Sequence, residues 1–328
     1  MLVDDVKEKC RVLRYSPKTF DTYWHWIRAF LVFERSVCGE WVHPSKVGRA
    51  EIERYLTHLA VKQNVSPNTQ NLALQGILFL YRHVLKIEIV GVNALRAKKP
   101  LYLPTVFSVD EIAKLFTQLS GRNKLIAGLG YGCGMRIGEI FSLRIKDLDF
   151  ANKFIHVRQA KGAKDRIVQL PEMLIAPLEQ QIAETKRLHT IDMKEGCARV
   201  PLPFAMEKKS PRLAQEIGWW WVFCSQSRSH DPETKRIGRW HLDETTYTRE
   251  LSAAGRRAGI TKSVKSHALR HSFATHLMNQ RVPVMAIKEL LGHQSLETTQ
   301  IYMHVEQDSP SSVRSPLDRM FQRAVSQT

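Results

Sequence analysis

Apolar residues recur at helical spacing along most of the chain. In SPKTFDTYWHWIRAFLVF (16–33), Phe20, Tyr23, Trp24, Ile27, Phe30 and Leu31 follow the i, i+3, i+4, i+7 rule of a buried helical face. Ser16 followed by Pro17 supplies an N-cap and a first helical position. SPNTQNLALQGILFLYRHVL (66–85) opens the same way, and Ile52, Tyr55, Leu56 and Leu59 mark a shorter helix between the two. No strand alternation interrupts this stretch, so residues 1–95 read as a helical domain. The basic, proline-bearing RAKKPLYLP lies in an inter-domain linker at 96–107.

A second domain, 108–308, begins with Ser108 and Glu111 spaced as a capping box, and helix is expected to about Leu148. FIHVRQAKGAKDRIVQL (154–170) gives two short β-like runs joined around Lys161–Lys164, a hairpin with lysine at its tip. A helix at about 171–189 precedes an irregular stretch, 191–243, that holds four of the seven tryptophans. Helices resume at 245–258, 267–279 with Ser266 as N-cap, 283–291 and 295–304. Residues 309–328 form a Ser/Pro linker and a short stripe, Leu317, Met320, Phe321 and Ala324, which needs a surface to dock on. The fold class is mainly α with a small antiparallel β-sheet, in two domains.

Charge adds a partner. The 328 residues carry a formal +17, and residues 1–100, with 16 basic and 9 acidic side chains, hold +7 of it. A surplus on both halves suits a polyanion gripped from two sides. Five scattered cysteines without a CxxC favour reduced thiols over a disulfide framework. The charged start MLVDDVKEKC has no apolar h-region, and no apolar run approaches the roughly 18 residues of a membrane span. A cytoplasmic protein without a membrane partner is expected.

The stretch HALRHSFATH (267–276) sets three histidines and an arginine in ten positions. His267 and His271 have the i, i+4 spacing of a helical zinc pair, but Arg270 projects between them and no carboxylate stands near as a third ligand. An ordinary helix, with Leu269, Phe273 and Leu277 as its apolar stripe, is a second reading. The third is an anion site, with Arg270 bidentate to phosphate oxygens. Other segments favour the third. GCGMRIGEI places Arg136 and Glu139 at i, i+3 beside glycines, LLGHQSLETTQIYMHV carries His293 and Tyr302, and Lys161 stands on its hairpin. Two arginines, two histidines, a lysine and a tyrosine are the parts needed for phosphoryl transfer without a metal or cofactor.

Arg136, Lys161, HALR (267–270), LGH (291–293) and IY (301–302) resemble, in order and spacing, the tyrosine recombinase family of site-specific DNA integrases. The resemblance implies a two-domain, C-shaped clamp on DNA, with a SAM-like helical core-binding domain and a mixed α/β catalytic domain. It implies Tyr302 as the nucleophile that forms a 3′-phosphotyrosyl link, and Arg136, Arg270 and His293 as the phosphate clamp. Lys161 would be the acid for the leaving 5′-oxygen (Lys164 the alternative), His267 an acid/base partner, and Glu139 the residue orienting the arginine end. A DNA-bound homotetramer is implied, with no small-molecule substrate.

From Lys161 to His267 is 106 residues, a few dozen more than compact members of the family use. Within the excess, Trp219, Trp220, Trp221, Trp240 and His241 are interleaved with Lys208, Lys209, Arg212, Lys235, Arg236 and Arg239. Aromatic plates among cations suit unpaired bases, although a hydrophobic mini-core with basic decoration would read the same. An insertion placed before HxLR resembles that of the integron integrases, which implies recognition of bases flipped from a folded single-stranded cassette hairpin and recombination at attI/attC-type sites. The alternatives are a Xer-like or phage-type recombinase acting on duplex sites only, a catalytically silent DNA-binding regulator, and a zinc enzyme.

Overall fold

The computed structural model describes residues 2–91, 103–158, 165–203, 206–231 and 235–292. Lys161, Lys164, His293, Tyr302, the helix expected at 295–304 and the terminal segment lie outside the described residues. The chain divides between Tyr102 and Leu103 into two compact units.

The first unit is helical: α1 Leu2–Val12, α2 Pro17–Cys38, α3 Arg49–Val61 and α4 Pro67–Phe79. Ser16 and Ser66 cap α2 and α4, each side chain accepting the N–H three residues on, with proline in the first turn. Helix α4 runs on into a wider π-turn over Leu80–Leu85 and stops at Lys86, whose φ is 60°. Glycine at position 76 lets α4 approach α2, because a Cβ there would lie 3.3 Å from the Tyr23 backbone. Phe30, Ile52, Leu59, Leu74 and Ile77 form the core of this contact. Helix α1 was not expected. It buries Val6 and Cys10 against Ile27, Phe79 and Leu80.

In the second unit, α5 Val109–Thr117 starts at Ser108 with both bonds of its capping box made. Helices α6 Gly121–Gly132 and α7 Ile137–Phe141 follow, and then a three-stranded antiparallel sheet in the order β1 Leu148–Asp149, β2 Phe154–Val157, β3 Arg166–Gln169. Ile155 pairs with Val168 on the buried face, while Phe154 and Ile167 point outward. Helix α8 Ile175–Lys194 leads into the insertion, which holds the short helix α9 Met206–Lys209 and a two-stranded sheet, β4 Ser229–His230 with β5 Ile237–Gly238. Helices α10 Glu244–Arg257, α11 Ser266–Asn279 and α12 Val284–Leu291 complete the described part. One core joins α5, α6, α7, α10, α11 and the sheet through Phe107, Leu115, Ile126, Leu129, Phe141, Ile155, Val168, Leu251 and Leu269.

Two local expectations need correction. Lys265, not Ser266, is the N-cap of α11, and it makes no side-chain cap bond. Nor does α11 show a single apolar stripe: Ala268, Leu269, Arg270, Ser272, Ala274, Thr275 and Met278 are all buried, so the helix passes through the core covered on most sides.

The insertion is anchored by one buried carboxylate. Asp192, at the end of α8, accepts from Arg239 Nε at 2.7 Å and Nη2 at 2.7 Å, and from Arg228 Nε at 2.9 Å. Arg239 is therefore a buried structural cation and not a surface one as its sequence setting suggested. Burial works to raise the Asp192 carboxyl, yet Arg239 and then Arg228 hold it below the usual aspartate range. Its stabilisation is thus present above the ordinary value of about 3.9 and is lost only as pH falls through the depressed folded value. Asp192→Ala would strand Arg239 and destabilise this region by about 3–5 kcal/mol, measured by thermal melting and by proteolysis between 195 and 240. Unchanged melting and cleavage would remove Asp192 from this role.

Candidate active site

The turn Gly132–Cys133–Gly134 ends α6 and aims the next helix. Gly134 has φ +62°, and a Cβ on it would lie 2.5 Å from the Phe273 ring, so both backbone and packing require glycine. Arg136 then caps α7 in extended conformation, and Glu139 closes the first turn by accepting its backbone N–H at 2.9 Å and its Nη1–H at 2.8 Å. The expected pairing of Arg136 with Glu139 is therefore a cap as well as an ion pair.

A second guanidinium completes the carboxylate. Arg166 on β3 donates from Nη1 to Glu139 Oε1 at 3.0 Å and from Nη2 to Oε2 at 2.6 Å, while its Nε–H meets the Leu290 carbonyl at 2.8 Å. Arg270 on α11 donates to the carbonyls of Gly134, at 2.6 Å, and Leu291, and its Nη1 stands 3.9 Å from Glu139 Oε2. Two arginines thus hold adjacent carbonyls at the C-terminal end of α12, where the helix dipole is negative. Gly292 ends that helix with φ +61°. Three fixed cations around one carboxylate leave the cluster net positive.

Burial orders these groups. The Arg270 side chain is 2% exposed and that of Arg136 is 27% exposed, so Arg136 is the guanidinium that faces solvent. Burial alone would raise Glu139, but Arg166, by hydrogen bond and charge, and then Arg136 hold it at about 2. It is ionised at any working pH.

His267 lies beside the cluster, its ring stacked on His271 at 5.7 Å. Burial and the neighbouring Arg270 and Arg136 lower His267, against weaker opposition from Glu244 and Glu139. Burial, then His267 and Arg270, press His271 to about 4. Both rings are neutral near pH 7, and His267, the less strongly lowered of the two, is the better placed to accept a proton. The third histidine of the motif is elsewhere: His276 Nδ1 lies 2.9 Å from the Tyr131 hydroxyl. Among the described residues, no group of three His, Cys, Asp or Glu side chains is placed to hold a metal ion.

Arg166 escaped the sequence reading, though a signal was present. In RIVQL it shares strand parity with the buried Val168 and Leu170, so a charged residue at that position must find a buried partner.

The tryptophan cluster also needs correction. Trp220 is fully buried, its ring edge-on to His189 at 4.7 Å, and Trp221 is 7% exposed beneath the Arg144 guanidinium at 3.9 Å. Neither presents a face to a base. With Leu188, Ala198, Val200 and Cys224 they form a separate small core. Its backbone is sewn to the rest of the unit by Ile145 N–H to Trp220 O, Val222 N–H to Leu143 O, and Leu242 N–H to Phe223 O. Trp219, capped by Lys146, Trp240 and His241 are half-buried, and His241 lies parallel to Phe141 of α7 at 6.3 Å. Lys208, Lys209, Arg212, Lys235 and Arg236 are exposed around this core.

A helical unit is followed by a mainly helical one that gathers three guanidiniums around a single carboxylate, with neutral imidazoles beside them, a net-positive arrangement of the kind that suits phosphate. Residues 105–309 match the phage integrase family, and residues 2–90 match the N-terminal SAM-like domain of phage integrases. An integrase/recombinase of Escherichia coli is 39% identical over 97% of this chain and 94% of its own length, as is one of Pseudomonas aeruginosa. Among solved structures, the XerH site-specific recombinase bound to palindromic difH substrate, a post-cleavage complex, aligns with a TM-score of 0.61 at 20% identity. It covers 94% of this chain and 83% of its own, a likeness of fold. The chain belongs to the phage integrase family and is a site-specific tyrosine recombinase, an enzyme that cuts and rejoins DNA. Among the described residues, no helix is long and apolar enough to cross a membrane.

Proposed function

We propose that this recombinase is an integron integrase, which inserts and excises gene cassettes by joining a duplex site to a folded single-stranded hairpin. The observation that carries the reading is the insertion itself. It is a structured module with its own core, fastened to the catalytic unit at Leu143–Ile145 and ringed by exposed lysines and arginines. After the correction above, Trp219, Trp240 and His241 remain as the aromatic candidates for unpaired bases.

In the reaction, Arg136 and Arg270 neutralise the non-bridging oxygens and His293 donates to them. The Tyr302 hydroxyl oxygen attacks phosphorus, the bond to the 5′-oxygen breaks, and Lys161 protonates that oxygen. The 3′-phosphotyrosine keeps the ester energy, so attack by another 5′-hydroxyl restores DNA and frees the phenol. Neutral His267 is suited to take the phenolic proton. Four protomers act together, each docking its 309–328 segment on a neighbour.

A second reading, a recombinase of duplex sites only, has the XerH likeness of fold behind it. Binding to the bottom-strand hairpin of the adjoining recombination site and to the matching duplex separates the two. The hairpin should bind more tightly, and Trp219→Ala or Trp240→Ala should weaken it by about 1–3 kcal/mol while sparing the duplex. Equal affinities, or equal losses on both, would discard the integron reading.

A further inference from the structure

We infer that Arg166 is a positioning residue that locks the Arg136 segment and the C-terminal end of α12, which Arg270 also grips, into one rigid frame. Three observations meet at its side chain. Its two terminal nitrogens hold both oxygens of Glu139, the carboxylate that caps the Arg136 helix. Its Nε–H holds the Leu290 carbonyl, one residue before the Leu291 carbonyl gripped by Arg270. Its aliphatic and guanidinium atoms fill the space over Gly292, where a Cβ would lie 3.1 Å from Cδ and from Nη1. The residue that follows Gly292 is His293, and Arg166 itself stands five positions after Lys161 on the hairpin strand. One planar fork therefore ties the Arg136 segment to the end of α12, next to the carbonyl that Arg270 of the HALR box holds.

Only a guanidinium can make all three bonds at once. Lysine would keep the charge but, as a point donor on a flexible stem, could not span both carboxylate oxygens and a carbonyl on the opposite side. The groups facing Glu139 are Arg136 on its own helix, Arg166 on β3, and Arg270 and His267 on α11. Of the charged ones, Arg166 contributes most to keeping the carboxyl low. A loosened fork should therefore move the acid limb of cleavage upward, from below the working range toward ordinary carboxylate values.

The inference rests on the recombinase reading, and the test keeps the two apart. Full-length wild type, Arg166→Lys and Arg166→Met are compared on a nicked substrate made from the recombination site adjoining the gene, as duplex and as folded hairpin. Single-turnover formation of the covalent protein–DNA adduct should fall about 100-fold in Arg166→Lys, the effect of displacing reacting groups by about 1 Å. DNA affinity should stay within about twofold, as expected when no phosphate contact is lost. The acid limb of the pH profile should rise, and Glu139→Gln added to Arg166→Lys should lower the rate little further, because the two act as a unit. Arg166→Met should show the same pattern more strongly. Cleavage at the wild-type rate by Arg166→Lys overturns the inference. So does a loss of cleavage that only tracks a loss of melting temperature and DNA binding, which would make Arg166 a packing residue. A wild-type protein that forms no adduct on either substrate would instead refute the function proposed above.

Discussion

Tyr302→Phe should bind DNA as the wild type does and form no covalent adduct. Removing a catalytic nucleophile lowers a covalent enzyme's rate on the order of a million-fold, which here means an adduct below detection. The described tyrosines of the second unit are Tyr131 and Tyr247. Tyr247 is buried and its phenol is pushed well above the ordinary range by that burial. Tyr131 is likewise raised by burial and is bonded to His276, away from the arginine cluster. Neither can yield a phenolate next to Arg136. A free phenol has a pKa of about 10, so its deprotonation must be helped, and the neutral rings beside the cluster can do this. Denaturing electrophoresis on a nicked suicide substrate reads the outcome directly. Persistent adduct in the Phe variant would assign the nucleophile elsewhere and undo the roles given to the whole cluster.

How much of this was legible in the sequence depends on whether the signal was local. The caps at Ser16, Ser66 and Ser108 formed as read, because a cap is decided within four residues. The pairing of Arg136 with Glu139 is local in the same way. Helix α1 was missed although Leu2, Val6, Cys10 and Leu13 recur at helical spacing, because the charged run of Asp4, Asp5, Lys7, Glu8 and Lys9 dominates the stretch. The tryptophan cluster was misjudged for the opposite reason: an irregular segment has no period to separate inward from outward side chains. Trp220 and Trp221 were buried by backbone bonds to Leu143 and Ile145, some 75 positions earlier, which no local pattern encodes. Arg239 found Asp192 across 47 positions, and Arg166 found Glu139 across 27. Long-range polar pairs set the site, and of these only the strand parity of Arg166 left a trace in the sequence.

Arg270→Lys and Arg136→Lys should separate what the two clamp arginines do. Arg270 is almost wholly buried, and it holds the carbonyls of Gly134 and Leu291. A lysine there keeps the positive charge but cannot reach both acceptors, so one buried carbonyl loses its partner, at a penalty of about 1–3 kcal/mol. It would also present a point charge where a planar donor pair is needed. Loss of such a transition-state donor lowers the rate about 10²–10³-fold. Arg270→Lys should therefore lose both cleavage rate and melting temperature. Arg136 is the more exposed partner, and its side chain donates to a carboxylate that Arg166 continues to hold. Arg136→Lys should lose a similar factor in single-turnover cleavage with melting nearly unchanged. The contrast follows from position alone: one arginine is part of the wall it reaches through, while the other stands at its mouth. If the Arg136 variant melts as low as the Arg270 variant, or the Arg270 variant keeps the wild-type rate, this division of labour is wrong.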